Sequence, residues 1–145
     1  MVIYMNIFKI LETTTKHIKK FDYELIDDNE EYILFKSSLD GFNFLIKYKK
    51  TNEFDFNYLT ILTNIKFKDN INDVYKKINS FNDCYASTLS YNKENGIFTL
   101  HKDIYVDNDI ILSKDNINSF NQCFTHDVLI LKLTLEDIEI LKEEV

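Results

Sequence analysis

Residues 70–82, with the sequence NINDVYKKINSFN, organise the chain on either side of them. The apolar residues of this stretch follow the first one at +3, +4, +7 and +10, and they are Ile71, Val74, Tyr75, Ile78 and Phe81. Such spacing places all five on one stripe of an α-helix. Because stretches with the pattern of β-strands lie before and after it, the sequence predicts a sheet in two halves with a helix between them.

The first half of the chain is predicted to hold a helix over residues 3–20, followed by strands at 32–37, 42–49 and 54–65. Asp40–Gly41 is a hairpin signal, because Gly readily takes positive φ. The segment Tyr23–Asp27 is compatible with a short strand, but the predicted order counts three strands before the central helix.

The second half is predicted to hold strands at 85–91 and 97–106 and a helix that starts after Ser113. Thr134–Asp137 is a helix-start signal inside that last segment, which allows a break and a short terminal helix. The predicted fold class is therefore α+β, in the order helix, three strands, helix, two strands, helix. The sheet is expected to be antiparallel, with helices mostly on one face, and residues 1–145 to form one domain.

Composition excludes several classes of function. The formal net charge is −7 and no Arg occurs, which argues against nucleic-acid and anionic-membrane partners. Only Gly41 and Gly96 are available, so no glycine-rich phosphate loop or nucleophile elbow can form. The N-terminus lacks the pattern of a signal peptide and no apolar run reaches membrane-span length. We therefore expect a cytoplasmic protein.

Candidate chemistry is sparse. Cys123 and His126 have metal-ligand spacing on one helical face, but a zinc site normally has two such close pairs. Asp107 and Asp109 could hold a cation, yet the remaining features of a calcium loop are missing. An exposed His beside a buried Cys and solvated acidic turns explain these residues without chemistry. The sequence predicts no enzyme, no cofactor and no metal.

Phe54, Phe56 and Tyr58 are the candidate binding residues. They alternate with polar residues at the start of a strand that can lie at a sheet edge. Either they pack under a helix or they line a protein-binding face.

A short repeat is also present: Ile78–Cys84 matches Ile117–Cys123 at six of seven positions. One copy would end a helix and the other begin one, so we interpret the match as a consequence of an Asn-rich composition.

The order of elements resembles the type III secretion chaperone-like fold, and within it the chain is similar to the YbjN family. The residues that carry the likeness are Asn79 and Asn82 at the end of the central helix, Ile97–Leu100 in the hairpin, and Phe120–Leu131 in the last helix. The resemblance implies a non-enzymatic, often homodimeric protein that binds other polypeptides.

The sequence is compatible with two functions of a protein-binding kind and with one of an enzymatic or metal-binding kind. The first is a chaperone-like or adaptor protein with a polypeptide partner. The alternative is an immunity-like, antitoxin-like or phage-borne inhibitor that captures one basic protein, which acidity and small size also suit. The third is an enzyme or metal protein that uses Cys123, His126 and the Asp107/Asp109 loop.

Overall fold

The computed structural model describes residues 3–50, 57–66, 74–84, 87–106 and 114–143. The elements are α1 (Ile3–His17), β1 (Phe21–Asp28), β2 (Tyr32–Leu39), β3 (Phe42–Lys49), β4 (Asn57–Lys66), α2 (Val74–Cys84), β5 (Thr88–Asn92), β6 (Ile97–Val106) and α3 (Lys114–Glu143). The strands form one six-stranded sheet in the order β1-β2-β3-β4-β6-β5, and every pairing is antiparallel. The predicted α+β class with an antiparallel sheet is confirmed.

The predicted count of three strands before the central helix is wrong, because β1 is a full strand of 8 residues. Its alternation is clear only at Phe21 and Tyr23, which face the core side. A bulge between Leu25 and Asp27 then shifts the register against β2 and ends the alternation. The short apolar pattern therefore understates the length of the strand.

The hairpin predicted at Asp40–Gly41 is confirmed. Asp40 has φ of 49° and Gly41 has φ of 85°, and the two residues connect β2 directly to β3. Two positive φ values in a two-residue loop match the twist of antiparallel strands.

The sheet has one buried face. Register aligns Ile33 of β2, Tyr48 of β3, Leu59 of β4 and Ile104 of β6, and all four are buried. These residues share one core cluster with apolar residues from all three helices, namely Ile7, Ile10, Leu11, Ile78, Phe81, Phe120, Phe124, Val128 and Leu131. Within the described residues, the helices pack on this face of the sheet, as predicted.

The opposite face of the sheet is mainly polar. Thr60 Oγ1 donates to Asp103 Oδ1 at 2.7 Å, and Thr99 Oγ1 donates to Asn64 Oδ1 at 2.9 Å across neighbouring strands. Side chains on alternate positions of an antiparallel sheet commonly face water in this way.

The third helix is continuous where the sequence allowed a break. Thr134 is buried, and its hydroxyl donates to the carbonyl of Ile130 one turn earlier at 2.7 Å. This hydroxyl is therefore used inside α3 and caps no new helix. In the described part of the chain, no helix is both long and apolar enough to cross a membrane.

Lys102 interrupts the apolar face of β6 because it pairs with α3. Its Nζ lies 3.7 Å from Asp127 Oδ1, and both side chains are largely shielded from solvent. A shielded ion pair of this kind fixes the position of a helix over a sheet more than it adds stability.

Several predicted boundaries fall partly outside the described residues. The central helix is described from Val74, so its predicted start at 70 lies outside them, as does Ser113. The first helix ends at His17 and not at residue 20, and β5 spans Thr88–Asn92.

Candidate protein-binding surface

The predicted binding residues lie at the start of β4. Phe54 and Phe56 are outside the described residues. Tyr58 is the second residue of β4, where the backbone register pairs it with Tyr105 of β6. β4 lies between β3 and β6, so the expectation that this strand lies at a sheet edge is wrong. A binding role for these three aromatic residues stays a prediction.

The Cys123/His126 pair lies on the exposed side of α3. Both side chains are exposed, and His126 Nδ1 is 3.6 Å from the neighbouring Asp127. Among the side chains that the structure describes, no three His, Cys, Asp or Glu residues are grouped so as to hold a metal ion. Asp107 and Asp109 lie outside the described residues.

The two edges of the sheet, β1 and β5, differ in what covers them. At the β5 edge, Leu89 donates its N–H to Asn82 Oδ1 at 2.8 Å, and Asn82 Nδ2 donates to the Leu89 carbonyl at 3.1 Å. The side-chain amide of α2 thus takes the place that a seventh strand would occupy. This hydrogen-bond pair covers the β5 edge at Leu89, the second of its five residues.

Among the residues that the structure describes, none covers the β1 edge in an equivalent way. The N–H of Asp40 donates to the carbonyl of Lys20 at 3.1 Å. Lys20 directly precedes β1 and Asp40 directly follows β2, so these two residues form a hydrogen-bonded pair at the end of the β1–β2 ladder. Because hydrogen-bonded positions alternate in an antiparallel ladder, Asp22 and Glu24 bond to β2, while the N–H and C=O groups of Tyr23 and Leu25 face outward. Within the described part of the chain, no other backbone group pairs with these outward groups.

The side chains along β1 are acidic and apolar. Asp22, Glu24 and Asp27 are exposed and form no ion pair with any described residue. Leu25 and Ile26 are 46% and 49% exposed, which is unusual for large apolar side chains in a strand. We call the segment Phe21–Asp28, with its outward backbone groups and these side chains, the β1 edge.

A carboxylate also lies near Tyr23, on the core-facing side of the β1 edge. Tyr23 is half-buried, and its ring contacts Phe35 edge-to-face with centroids 5.8 Å apart. Burial, and then the nearby Glu12 carboxylate, raise the pKa of Tyr23 above its ordinary value. The phenol therefore stays neutral, so the negative potential at this edge comes from carboxylates alone.

The bulge sets the length of the open edge. Regular pairing with β2 is interrupted between Leu25 and Asp27, so an added strand can follow the edge over about five residues, from Phe21 to Leu25. Past that point Ile26 is an extra residue that projects beside Leu25.

Neither the Asn82 cover nor the open β1 edge was anticipated as functional from sequence. The Asn-Ser-Phe-Asn end of α2 looks compositional, since Asn is common throughout the chain. A usable signal for β1 was the run Asp22, Glu24, Asp27 and Asp28 around Leu25 and Ile26, which is a charged strand that cannot be a central one.

No protein-family model, curated protein or solved structure matches this chain. The likeness to the YbjN family and to secretion chaperones remains a prediction from element order and a few residues.

Proposed function

We propose that this protein is a non-enzymatic binding module that takes an extended, basic polypeptide segment along the β1 edge. The observation that carries the proposal is the contrast between the two sheet edges. Asn82 covers the β5 edge at Leu89, whereas the outward backbone groups of the β1 edge lie among Asp22, Glu24 and Asp27, which form no ion pair with any described residue. A chaperone-like or adaptor role follows from binding of this kind.

The recognition would combine main-chain and side-chain contacts. An added strand would hydrogen-bond to the outward N–H and C=O of Tyr23 and Leu25, which gives affinity without regard to sequence. Lys or Arg side chains on the partner would meet Asp22 and Glu24. An apolar side chain would cover Leu25 or Ile26, which are about half exposed.

The carboxylates of the β1 edge also disfavour pairing between the β1 edges of two copies of the chain. Two β1 edges would bring Asp22 and Glu24 of one copy against the same carboxylates of another, and like charges directly opposite are destabilising. Repulsion of acidic strands and attraction of basic ones together give specificity. The short length of the edge leads us to expect micromolar affinity for a free peptide, on the order of −8 kcal/mol.

The alternative is an inhibitor that captures one folded basic protein, of the immunity, antitoxin or phage-borne kind. The net charge of −7, together with the exposed Asp22 and Glu24 on β1, favours this alternative function equally where the partner presents a basic strand or loop. The two functions differ in selectivity: an inhibitor would take one protein at 1:1 stoichiometry, and a chaperone or adaptor would accept several related segments.

Selection from a displayed library of random peptides tests the proposal. We expect the wild-type protein to enrich segments in which Lys or Arg alternates with apolar residues. The double variant Asp22→Lys/Glu24→Lys should lose these peptides by at least about tenfold in affinity, because each reversed charge replaces attraction with repulsion. Both side chains are exposed, so folding should be unaffected.

Glu94→Lys is the matched control, since Glu94 is exposed in the loop between β5 and β6, far from β1 along the sheet. The control reverses one charge instead of two, so a loss of binding free energy half that of the double variant would mean that only overall charge matters. Enrichment of acidic or helical peptides by the wild-type protein would contradict the proposal.

A further inference from the structure

The outward side of α3 carries two leucines that the core does not use. Phe124, Val128 and Leu131 are buried against the sheet, whereas Leu129 and Leu133 are 50% and 51% exposed. At 100° per residue, Leu129 and Leu133 lie on the side of the helix opposite Phe124 and Leu131. A shallow groove of about 430 Å³ borders this side, and Ile18 from the end of α1 forms part of its wall.

The leucines belong to a longer stripe with regular spacing. Gln122, His126, Leu129, Leu133 and Glu136 follow one another at +4, +3, +4 and +3, and all but the two half-exposed leucines are polar and exposed. Alternating steps of three and four are the spacing of the contact seam in a coiled coil. We call these five residues the α3 seam.

Four of the five residues of the α3 seam are symmetric about position 131. Leu129 and Leu133 are each two residues from that point, and His126 and Glu136 are each five residues from it. When two copies of such a helix pair in antiparallel orientation around a two-fold axis, residues at equal distances from the centre face each other. The dimer then contains two contacts between Leu129 of one copy and Leu133 of the other. It also contains two contacts between His126 of one copy and Glu136 of the other.

We propose that the α3 seam binds a second copy of this chain, with the two α3 helices antiparallel. The two-fold axis passes the outward side of α3 at the level of residue 131. The side chains of His126 and Glu136, which face each other across this axis, are complementary in hydrogen bonding. A His side chain has an N–H donor in either protonation state, and a carboxylate accepts it. His126 is 68% exposed and Glu136 is exposed, so both side chains are free to reach across.

The contact is a single pair of helices over about four turns, which is small for a permanent interface. We therefore expect a reversible dimer with a dissociation constant on the order of 10 µM. The acidic β1 edge stays outside this contact, so the dimer would present two such edges. The proposal does not depend on what β1 binds.

Sedimentation velocity at about 150 mM salt, where surface repulsion between the acidic copies is screened, tests the seam. We expect the wild-type chain to dimerise and Leu129→Glu or Leu133→Glu to weaken the dimer by at least about tenfold. Glu is a good helix former, so α3 should remain intact. Ser80→Glu adds the same charge at an exposed site on α2 and should leave the dimer unchanged.

A charge exchange tests the register. His126→Glu places two carboxylates opposite each other at both ends of the seam and should weaken the dimer. The double variant His126→Glu/Glu136→Lys replaces each repulsion with an ion pair and should restore the dimer. Far-UV circular dichroism and thermal melting confirm that each variant is folded.

Three results would overturn the proposal. The first is a wild-type chain that stays monomeric at several hundred micromolar. The second is a dimer that survives both Leu→Glu substitutions. The third is a double charge variant that dimerises no better than His126→Glu alone, which would remove the antiparallel register.

Discussion

Tyr48 carries a polar group that the fold leaves unpaired. The residue is 2% exposed near the end of β3, and its hydroxyl has no hydrogen-bond partner among the described residues. Burial raises the pKa of Tyr48 to about 12. A buried hydroxyl without a partner costs stability that its ring must offset.

Replacing Tyr48 with Phe removes this cost. We expect Tyr48→Phe to raise the free energy of unfolding at pH 7 by about 1 kcal/mol, measured by urea denaturation. Unfolded Tyr ionises near pH 10, and the folded residue keeps its proton up to about 12. The wild-type protein should therefore lose stability as pH rises from 10 to 12, by at most about 3 kcal/mol from this group.

The difference between wild type and Tyr48→Phe isolates the effect, since other groups titrate equally in both. Below pH 10 the difference should be constant, and above it the variant should gain relative to the wild type. Parallel curves up to pH 12 would show that the hydroxyl is not shielded from water, and a variant that is less stable at pH 7 would show that the hydroxyl has a hydrogen-bond partner.

Asn121 shows how a residue that looks compositional acquires a structural role. It is buried, and its Oδ1 lies 2.8 Å from Thr14 Oγ1, which also lies 2.8 Å from the carbonyl of Ile10. One hydroxyl proton cannot serve both acceptors. Exchanging the amide O and N of Asn121 lets Nδ2 donate to Thr14 while Thr14 donates to Ile10, so both contacts are satisfied.

The two copies of the short repeat use their Phe-Asn pairs alike. Phe81 and Phe120 are buried in the core, and the Asn after each one joins its helix to another element. The copies still differ in context, since one ends α2 and the other lies in the second turn of α3. Composition explains why Asn is frequent, but only tertiary contacts show which Asn residues are used.

Among the elements, β5 depends on α2 for the cover of its outer edge. Asn82 makes two hydrogen bonds to the backbone of Leu89, at 2.8 and 3.1 Å. Without them, these backbone groups would meet water or another strand, and an exposed edge is a site of strand pairing.

Asn82→Ala should therefore lower the free energy of unfolding by about 1 to 2 kcal/mol and speed hydrogen exchange at the Leu89 amide. Asn79→Ala, an exposed position one turn earlier on α2, is the control and should change neither quantity appreciably. Slow exchange at Leu89 in Asn82→Ala would mean that something other than this amide protects the edge.

Local signals in the sequence predicted most elements correctly. Asp40–Gly41 determines a hairpin through backbone conformation alone, and alternation in β3 follows from burial on one face. Helical spacing in α2 follows from burial of Ile78 and Phe81, whereas Tyr75 of the same predicted stripe is 62% exposed. Two failures have tertiary causes. The second half of β1 is held by pairing with β2 despite its acidic, exposed side chains, and Thr134 continues α3 because its hydroxyl bonds within the helix.

The candidate binding surface was less predictable than the fold. Exposure of Phe54, Phe56 and Tyr58 cannot be decided by alternation, because it does not say which face of a strand is covered. The β1 edge depends on strand order, which no local pattern specifies. Its acidity is visible in the sequence, but it acquires meaning only once β1 is known to be the outermost strand.

For the molecule as a whole, net charge and edge geometry point to the same type of partner. The chain carries −7 overall and contains no Arg, and three carboxylates that form no ion pair with any described residue line the β1 edge. A basic extended segment would be drawn to this surface over distances near the Debye length and then held by backbone bonds. The α3 seam would double the number of such edges in one assembly.

Residue-resolved hydrogen exchange tests binding at the β1 edge most directly. The probe is the tightest peptide recovered from the displayed library, added in excess to the wild-type protein. We predict strong slowing of exchange at the Tyr23 and Leu25 amides, which face outward, and little change at Asp22 and Glu24, which already bond to β2. Failure to recover any peptide, or binding that protects other parts of the protein and leaves Tyr23 and Leu25 unchanged, would contradict the proposal.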